Sequence, residues 1–312
     1  MALFLSNDDV AALLPMKECI EVMEDLFQQE ARGLVLNHRS RERQRWPGSN
    51  VTATLMGGTV LGSEAHGIRH SSVTLIYNTT TGKLDGVVEP GNISWIRTGA
   101  STGVAAKYMS KPTASVVGVI GTGRQAVTQV EALCAVRDIS LMKIYSRSED
   151  NRVKFADTMR ERHGVEIVPV ATAEEAVRGS DIVCAITNAP EPVFNGEWLE
   201  PGTHVIAAGI NTWTKREVDE ATIDRASLIV CDNVEQAKIE CGELMYAAER
   251  GSFRWQQAHD LSEVVGGKVN GWPSDDAITL FESQGIGIED VAACAYVLKK
   301  ARERGIGIEL PF

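Results

Sequence analysis

Apolar residues recur at spacings of three and four in residues 16–32, where Ile20, Met23, Phe27 and Ala31 fall on one stripe and predict an amphipathic helix. Between residues 51 and 90 the texture becomes that of strands. The run "VTLIYNTTTGKLDGVVE" predicts a hairpin, with turn residues 79–82 between two strand-like segments. Residues 93–109 return to a helical pattern that stops before Lys111-Pro112. From Ser115 onward, short apolar runs alternate with helical ones. The runs 115–121, 140–146, 166–170, 181–186, 204–209 and 227–232 predict strands. One intervening helix is opened by Thr172 with Glu175 three residues on, the form of a capping box. Short, mostly apolar strands separated by helices predict an α/β fold, a doubly wound parallel sheet with helices on both faces. A looser stretch, "GGKVNGWPSDD", precedes a last helix near 289–304.

The composition narrows what such a chain can serve. At 312 residues it is long enough for about two domains and a large core. A net charge of −11 and a pI near 5.1 argue against nucleic acid or an anionic membrane surface as partner. Six scattered cysteines show no CxxC and no His-rich spacing, so neither a disulfide framework nor a metal site is expected. That usage, with no basic, apolar leader in "MALFLSNDDV", predicts a cytoplasmic protein.

The junction of the first predicted strand of the alternating region with its helix reads "VVGVIGTGRQAVTQV". Gly121, Gly123 and Ala126 form GxGxxA after a strand and at the opening of a helix. The first glycine permits the tight turn and the second lets a pyrophosphate approach the backbone. The small third residue lets helix and strand pack, while the helix start offers free N–H groups. This context predicts a Rossmann-type dinucleotide site in which Arg124 and Gln125 share the phosphate loop. A sheet of this kind that binds NAD usually carries an acid about 20 residues on. Here the second strand ends in Ser146-Arg147-Ser148, with no acid until Glu149. A missing carboxylate and an available guanidinium favour NADP(H) over NAD(H), with Arg147 as an ordinary exposed arginine the alternative.

Taken in order, "WIRTGASTGVAAKYMSKP", "VIGTGRQA", "EWLEPGTHVIAAGIN", "KREVDEATIDRASLIVCDNVEQAKIECGEL" and "ITLFESQGIGIEDVAAC" resemble the ornithine cyclodeaminase/mu-crystallin family over essentially the whole chain. The resemblance implies a Rossmann domain (114–269) inserted in a discontinuous α+β domain, 1–113 plus 270–312, that binds substrate and dimerises through its sheet. It also implies a nicotinamide cofactor and a small substrate with an α-carboxylate beside an amino or imino nitrogen. Thr98, Thr187, Asn188 and Gly209 join the cofactor-binding residues on the same basis.

The resemblance also distributes roles in the substrate site. Arg97, in "IRTG", matches the arginine that grips the substrate carboxylate, and a guanidinium fork suits that task. Arg39 is a second carboxylate ligand, with nearby Arg41 an equal choice. Arg69 stands where the family usually has a lysine beside the reacting carbon. It keeps the positive charge but is a poor proton donor, so His70 or His66, which flank it, is the candidate for proton transfer. The loop after Arg69 is also shorter than usual. Asn211 stands where cyclodeaminases use an aspartate, and an amide cannot take a proton at neutral pH. These departures favour an NAD(P)-dependent oxidoreductase of a C–N bond, an imine reductase or amino-acid dehydrogenase. A cyclodeaminase-type lyase and a non-catalytic NADPH-binding protein are the alternatives.

Overall fold

The computed structural model describes residues 1–38, 41–46, 48 and 52–311. The chain forms two compact units, Met1–Arg97 with Gly285–Phe312, and Thr98–Gln284. In chain order the strands of the first unit are β1 (Leu3–Leu5), β2 (Val35–Asn37), β3 (Glu42–Arg45), β4 (Thr52–Val60), β5 (Ala65–His70), β6 (Val73–Asn78) and β7 (Leu84–Val88). The second unit contributes β8 (Val116–Ile120), β9 (Leu141–Tyr145), β10 (Glu166–Pro169), β11 (Ile182–Ala185), β12 (His204–Ala207), β13 (Leu228–Cys231), β14 (Ala258–Asp260) and β15 (Thr279–Glu282). A short β16 (Ile308–Glu309) returns to the first unit.

The sheet of the first unit runs β16-β1-β7-β6-β5-β4-β2, with β3 also paired to β4. The predicted hairpin is β6–β7, closed by Gly82 in the left-handed region at φ 69°. β5 and β6 are joined through Ser71-Ser72, with Ser71 at φ 40°, so the turn after Arg69 is as short as the sequence implies. The predicted amphipathic helix spans Met16–Ala31 and buries Ile20, Met23, Leu26 and Phe27. The last helix, Gly287–Arg304, lies directly on one face of the sheet. Glycines make that approach possible: a side chain at Gly58, Gly67 or Gly86 would overlap Ile288, Val291 or Leu298 of this helix.

The second unit is a parallel sheet in the order β10-β9-β8-β11-β12-β15-β13-β14. Its apolar core gathers Val183, Ala185, Val205, Ile229 and Leu280 from the strands with Leu244 and Ala247 from a covering helix. The six predicted strands are all present, but two were not foreseen. β15 is central, between β12 and β13, so residues 279–282 belong with this sheet and the expected division at 269/270 is displaced to 284/285. The other division falls at 97/98 rather than 113/114, inside the helix Pro90–Met109. Glu175 supports its helix start slightly differently from a strict box: Thr172 Oγ1 accepts from Glu175 N, and Glu175 Oε2 accepts from Ala171 N. Among the described residues, no helix is long and apolar enough to cross a membrane.

Candidate active site

In the first unit, the middle of the helix Pro90–Met109 and the start of the helix Gly287–Arg304 bring together charges far apart in sequence. Arg97, 4% exposed, donates from Nη1 to Glu289 Oε2 at 2.7 Å and from Nε to Asp290 Oδ1 at 3.4 Å. Arg69, on β5, donates from Nη1 to both Asp290 oxygens, at 3.1 and 3.3 Å. Glu289 and Asp290 are fully buried, and Glu289 also accepts from Ile286 N at the helix start. Burial works to raise the Asp290 carboxyl, but the guanidinium of Arg97, then those of Arg69 and Arg41, outweigh it and hold the group below its ordinary 3.8. Asp290 is therefore a permanent anion at neutral pH.

Of the two carboxylate-ligand alternatives, Arg39 and Arg41, the described residues include Arg41. Arg39 lies outside the described residues. Arg41 donates from Nη2 to the Gly285 carbonyl at 2.9 Å and from Nε towards Met56 Sδ at 3.3 Å, and its charge acts on Asp290. Arg41, Arg69 and Arg97 thus converge on one acidic pair. Arg69 Nε is buried with no hydrogen-bond partner, an unsatisfied donor beside the acidic pair.

The histidines do not join them. The pleat of β5 sends Ala65, Gly67 and Arg69 to the face covered by the last helix, and His66, Ile68 and His70 to the other. His66 bonds Thr59 Oγ1 at 3.0 Å and packs edge-on against His38, with ring centroids 5.4 Å apart. Burial and the neighbouring His38 push it below its ordinary 6.5. His70, exposed at the strand end, is likewise turned away from Asp290. Both histidines therefore lie on the face of β5 opposite Arg69.

In the second unit, the glycine loop follows β8 as expected. Gly121 has φ 117°, and a side chain there would overlap the Ile186 carbonyl oxygen. Gly123 is the N-cap of the helix Arg124–Val136, with no side-chain cap, and nothing stands within 4 Å of where its Cβ would be. Ala126 is fully buried against the strand. Open space over an uncapped N-terminus of a 13-residue helix with no acid in its first turn fits a pyrophosphate. Arg124 is exposed at this start and Gln125 half-buried. Thr98, buried, directly follows Arg97 along its helix.

Beyond β9, Ser146 Oγ bonds the Ser148 carbonyl at 3.0 Å, and Arg147 is exposed, with no hydrogen-bond or ionic partner among the described residues. Thr187 and Asn188 follow β11, and Gly209 and Asn211 follow β12, the neighbouring strand. All these loops therefore lie at the carboxyl edge of one parallel sheet, the edge where such sheets bind ligands. Asn211 is exposed there. Three functional candidates escaped the sequence reading: Glu289, Asp290 and the buried Glu217, whose carboxylate accepts from Thr187 N at 2.5 Å and Gly209 N at 2.6 Å. Adjacent acids inside the otherwise apolar "GIGIEDVAAC" were the available signal for the first two. Glu217 had none, because "TKREVDE" reads as a solvated charged segment.

A glycine loop on a parallel sheet, with an arginine cluster on a separate α+β unit, defines a class of two-unit dinucleotide-dependent proteins. The chain belongs to the ornithine cyclodeaminase/mu-crystallin family, whose model matches residues 2–305. It is 32% identical to a Delta(1)-pyrroline-2-carboxylate reductase of Bacillus cereus, over 99% of this chain and 100% of that protein. Among solved structures it resembles the Thermococcus litoralis Delta(1)-pyrroline-2-carboxylate reductase in complex with NADH and L-proline, with a TM-score of 0.94 and 31% identity over 99% of this chain and 100% of that one. It also resembles an archaeal alanine dehydrogenase dimer with bound NAD, with a TM-score of 0.91 and 30% identity over 100% of this chain and 99% of that one.

Proposed function

We propose that this chain is an NAD(P)-dependent oxidoreductase that moves hydride to or from the carbon of a C–N bond in a small α-imino or α-amino acid. The observation that carries the reading is the buried cluster of Arg41, Arg69 and Arg97 on Asp290 and Glu289, in a chain that also has an uncapped GxGxxA helix start. The relatives support it, being reductases of a cyclic imino acid and a dehydrogenase of an amino acid. The nicotinamide, when bound, supplies or accepts the hydride. The glycine loop and the uncapped helix start at Arg124 hold the pyrophosphate.

Arg97, with Arg39 or Arg41, grips the substrate carboxylate through guanidinium forks. Arg69, with its unpartnered Nε, sits beside the reacting carbon and orients the same end of the substrate. A guanidinium is by nature a poor proton donor, and Asp290 is an anion with no proton to give. The nitrogen therefore carries its own: the substrate reacts as an iminium ion, whose positive charge the Asp290 carboxylate favours. Asn211, on the second unit, is a neutral residue where cyclodeaminases use an acid, which suits hydride transfer and not deamination.

The finer assignments rest on single features. The absence of an acid after β9 and the exposed Arg147 favour NADPH, although the solved relatives hold NADH or NAD. Leu36, Leu55 and Ile68, between 38% and 59% exposed on the first unit's sheet, support a homodimer built through that sheet. Six free cysteines support a cytoplasmic location.

A screen reads the absorbance of the reduced nicotinamide with cyclic imino acids and with α-keto acids plus ammonia. Turnover with at least one class is expected. Arg97→Lys keeps the charge but loses the fork, so it should raise the KM of the organic substrate and leave nucleotide affinity unchanged. Nucleotide binding without turnover on any of these substrates would refute the enzyme reading.

A further inference from the structure

Behind the cofactor edge of the second unit lies a buried carboxyl group that the proposed chemistry does not use. Thr187, after β11, is wedged between two glycines. A side chain at Gly121 would overlap the Ile186 carbonyl beside it, and a side chain at Gly209 would overlap the backbone of Thr187 itself. Three loop ends therefore touch backbone to backbone. The Glu217 carboxylate, fully buried, sits under two of them: Oε1 accepts from Thr187 N at 2.5 Å and Oε2 from Gly209 N at 2.6 Å. Its own N–H donates to Glu243 Oε1 at 2.6 Å, its carbonyl accepts from Val193 N at 2.9 Å, and Lys215 Nζ reaches the Asn188 carbonyl at 3.2 Å. The segment 215–217 is thus stitched to the loop after β11 at three points and to the loop after β12 at one.

This arrangement opposes the ordinary cost of burying an acid. Glu243, Glu282 and Cys184 surround Glu217 with further acidic or neutral groups, and burial first, with Glu243 adding to it, pushes its carboxyl up to about 7. The hydrogen bonds from Thr187 N and Gly209 N work against that penalty. A carboxylate alone offers two acceptor oxygens and no donor, the match for two N–H groups pointing at it from neighbouring loops.

We infer that Glu217 is a positioning residue that fixes the spacing of the Thr187-Asn188 and Gly209 loops, so that the edge of the sheet is set for the nicotinamide end of the dinucleotide before it binds. The inference rests on the oxidoreductase reading for the identity of the ligand, and on hydrogen bonds within one unit for the clip itself.

Glu217→Gln presents an amide NH2 to one of the two N–H donors, so one clip is lost and a donor faces a donor. The variant should bind NADH, titrated by its fluorescence, about tenfold more weakly, the usual order for one charge-assisted hydrogen bond. The KM for nucleotide should rise in the same proportion, while the KM for the organic substrate stays put. Hydrogen exchange adds a readout that needs no variant: in the nucleotide-free wild-type protein, the amides of Thr187 and Gly209 should be strongly protected. Glu217→Gln should release one of the two while leaving the strand interiors protected. Wild-type affinity in Glu217→Gln, or open-loop exchange of these two amides in the wild-type protein, would overturn the inference. A wild-type protein that binds no nicotinamide nucleotide but protects both amides would sink the oxidoreductase reading and leave the clip standing.

Discussion

Replacing Asp290 with asparagine removes one charge from the centre of the arginine cluster and almost no volume. In the native protein this carboxylate has no exposed surface and lies 3.1 to 3.4 Å from nitrogens of Arg69 and Arg97. At an effective dielectric of about 20, each such pair carries roughly 4 kcal/mol of attraction, most of which desolvation offsets. What survives is visible on breaking the pair, because the remaining buried charge is left exposed to low dielectric; removing one partner of a buried pair costs about 3–5 kcal/mol. The carbonyl of the substituted amide would still accept one hydrogen bond, so the lower end applies, about 3 kcal/mol. For a unit of this size that is a fall of roughly 10 °C in unfolding midpoint. The pH dependence gives an independent check. Because the native carboxyl titrates below its ordinary 3.8, its contribution is fully present above that value and is lost as pH falls through the native one. Calorimetry of wild type and Asp290→Asn should therefore show the full gap at neutral pH, closing only in acid below pH 3.8. An unchanged midpoint at neutral pH, or a gap that persists undiminished in strong acid, would refute the ion-pair account.

Two further outcomes test the finer proposals. NADPH should bind more tightly than NADH, and Arg147→Ala should cost about 1.5–3 kcal/mol with NADPH alone; equal titration curves for the two nucleotides would remove Arg147 from the site. Light scattering should give twice the chain mass of 33.9 kDa, and Ile68→Glu, which places a charge on the exposed sheet face, should shift it to a single chain; a wild-type monomer at micromolar concentration would end the dimer proposal.

What could be read from the sequence, and what could not, follows from the range of the interactions involved. The amphipathic helix Met16–Ala31, the β6–β7 hairpin and the β8 loop are local: their periods, turn residues and glycines lie within about twenty residues of one another. β15 is only four residues long and buried on every side. Its partners β12 and β13 come from elsewhere in the chain, so nothing local marks "TLFE" as the strand that joins them. The displaced unit boundary is the consequence. Arg97 and Asp290 are 193 residues apart, and no periodicity links them. The histidines are a different matter. Strand alternation in "AHGIRH" already puts His66 and His70 opposite Arg69, because neighbours in a strand face opposite ways.

The cluster also explains why acids stand beside arginines meant to hold an acid. Arg41, Arg69 and Arg97 together, with no anion between them, would repel one another in a buried setting and unfold the site that needs them. Glu289 and Asp290 hold Arg69 and Arg97 at hydrogen-bond distance and fix the direction of those two forks. Arg69 Nε, buried with no hydrogen-bond partner, is a donor still to be satisfied. On the function proposed above, a substrate carboxylate would take it up. On this account the acids at residues 289 and 290 set the stability of the empty site, and the unsatisfied donor favours a ligand that accepts.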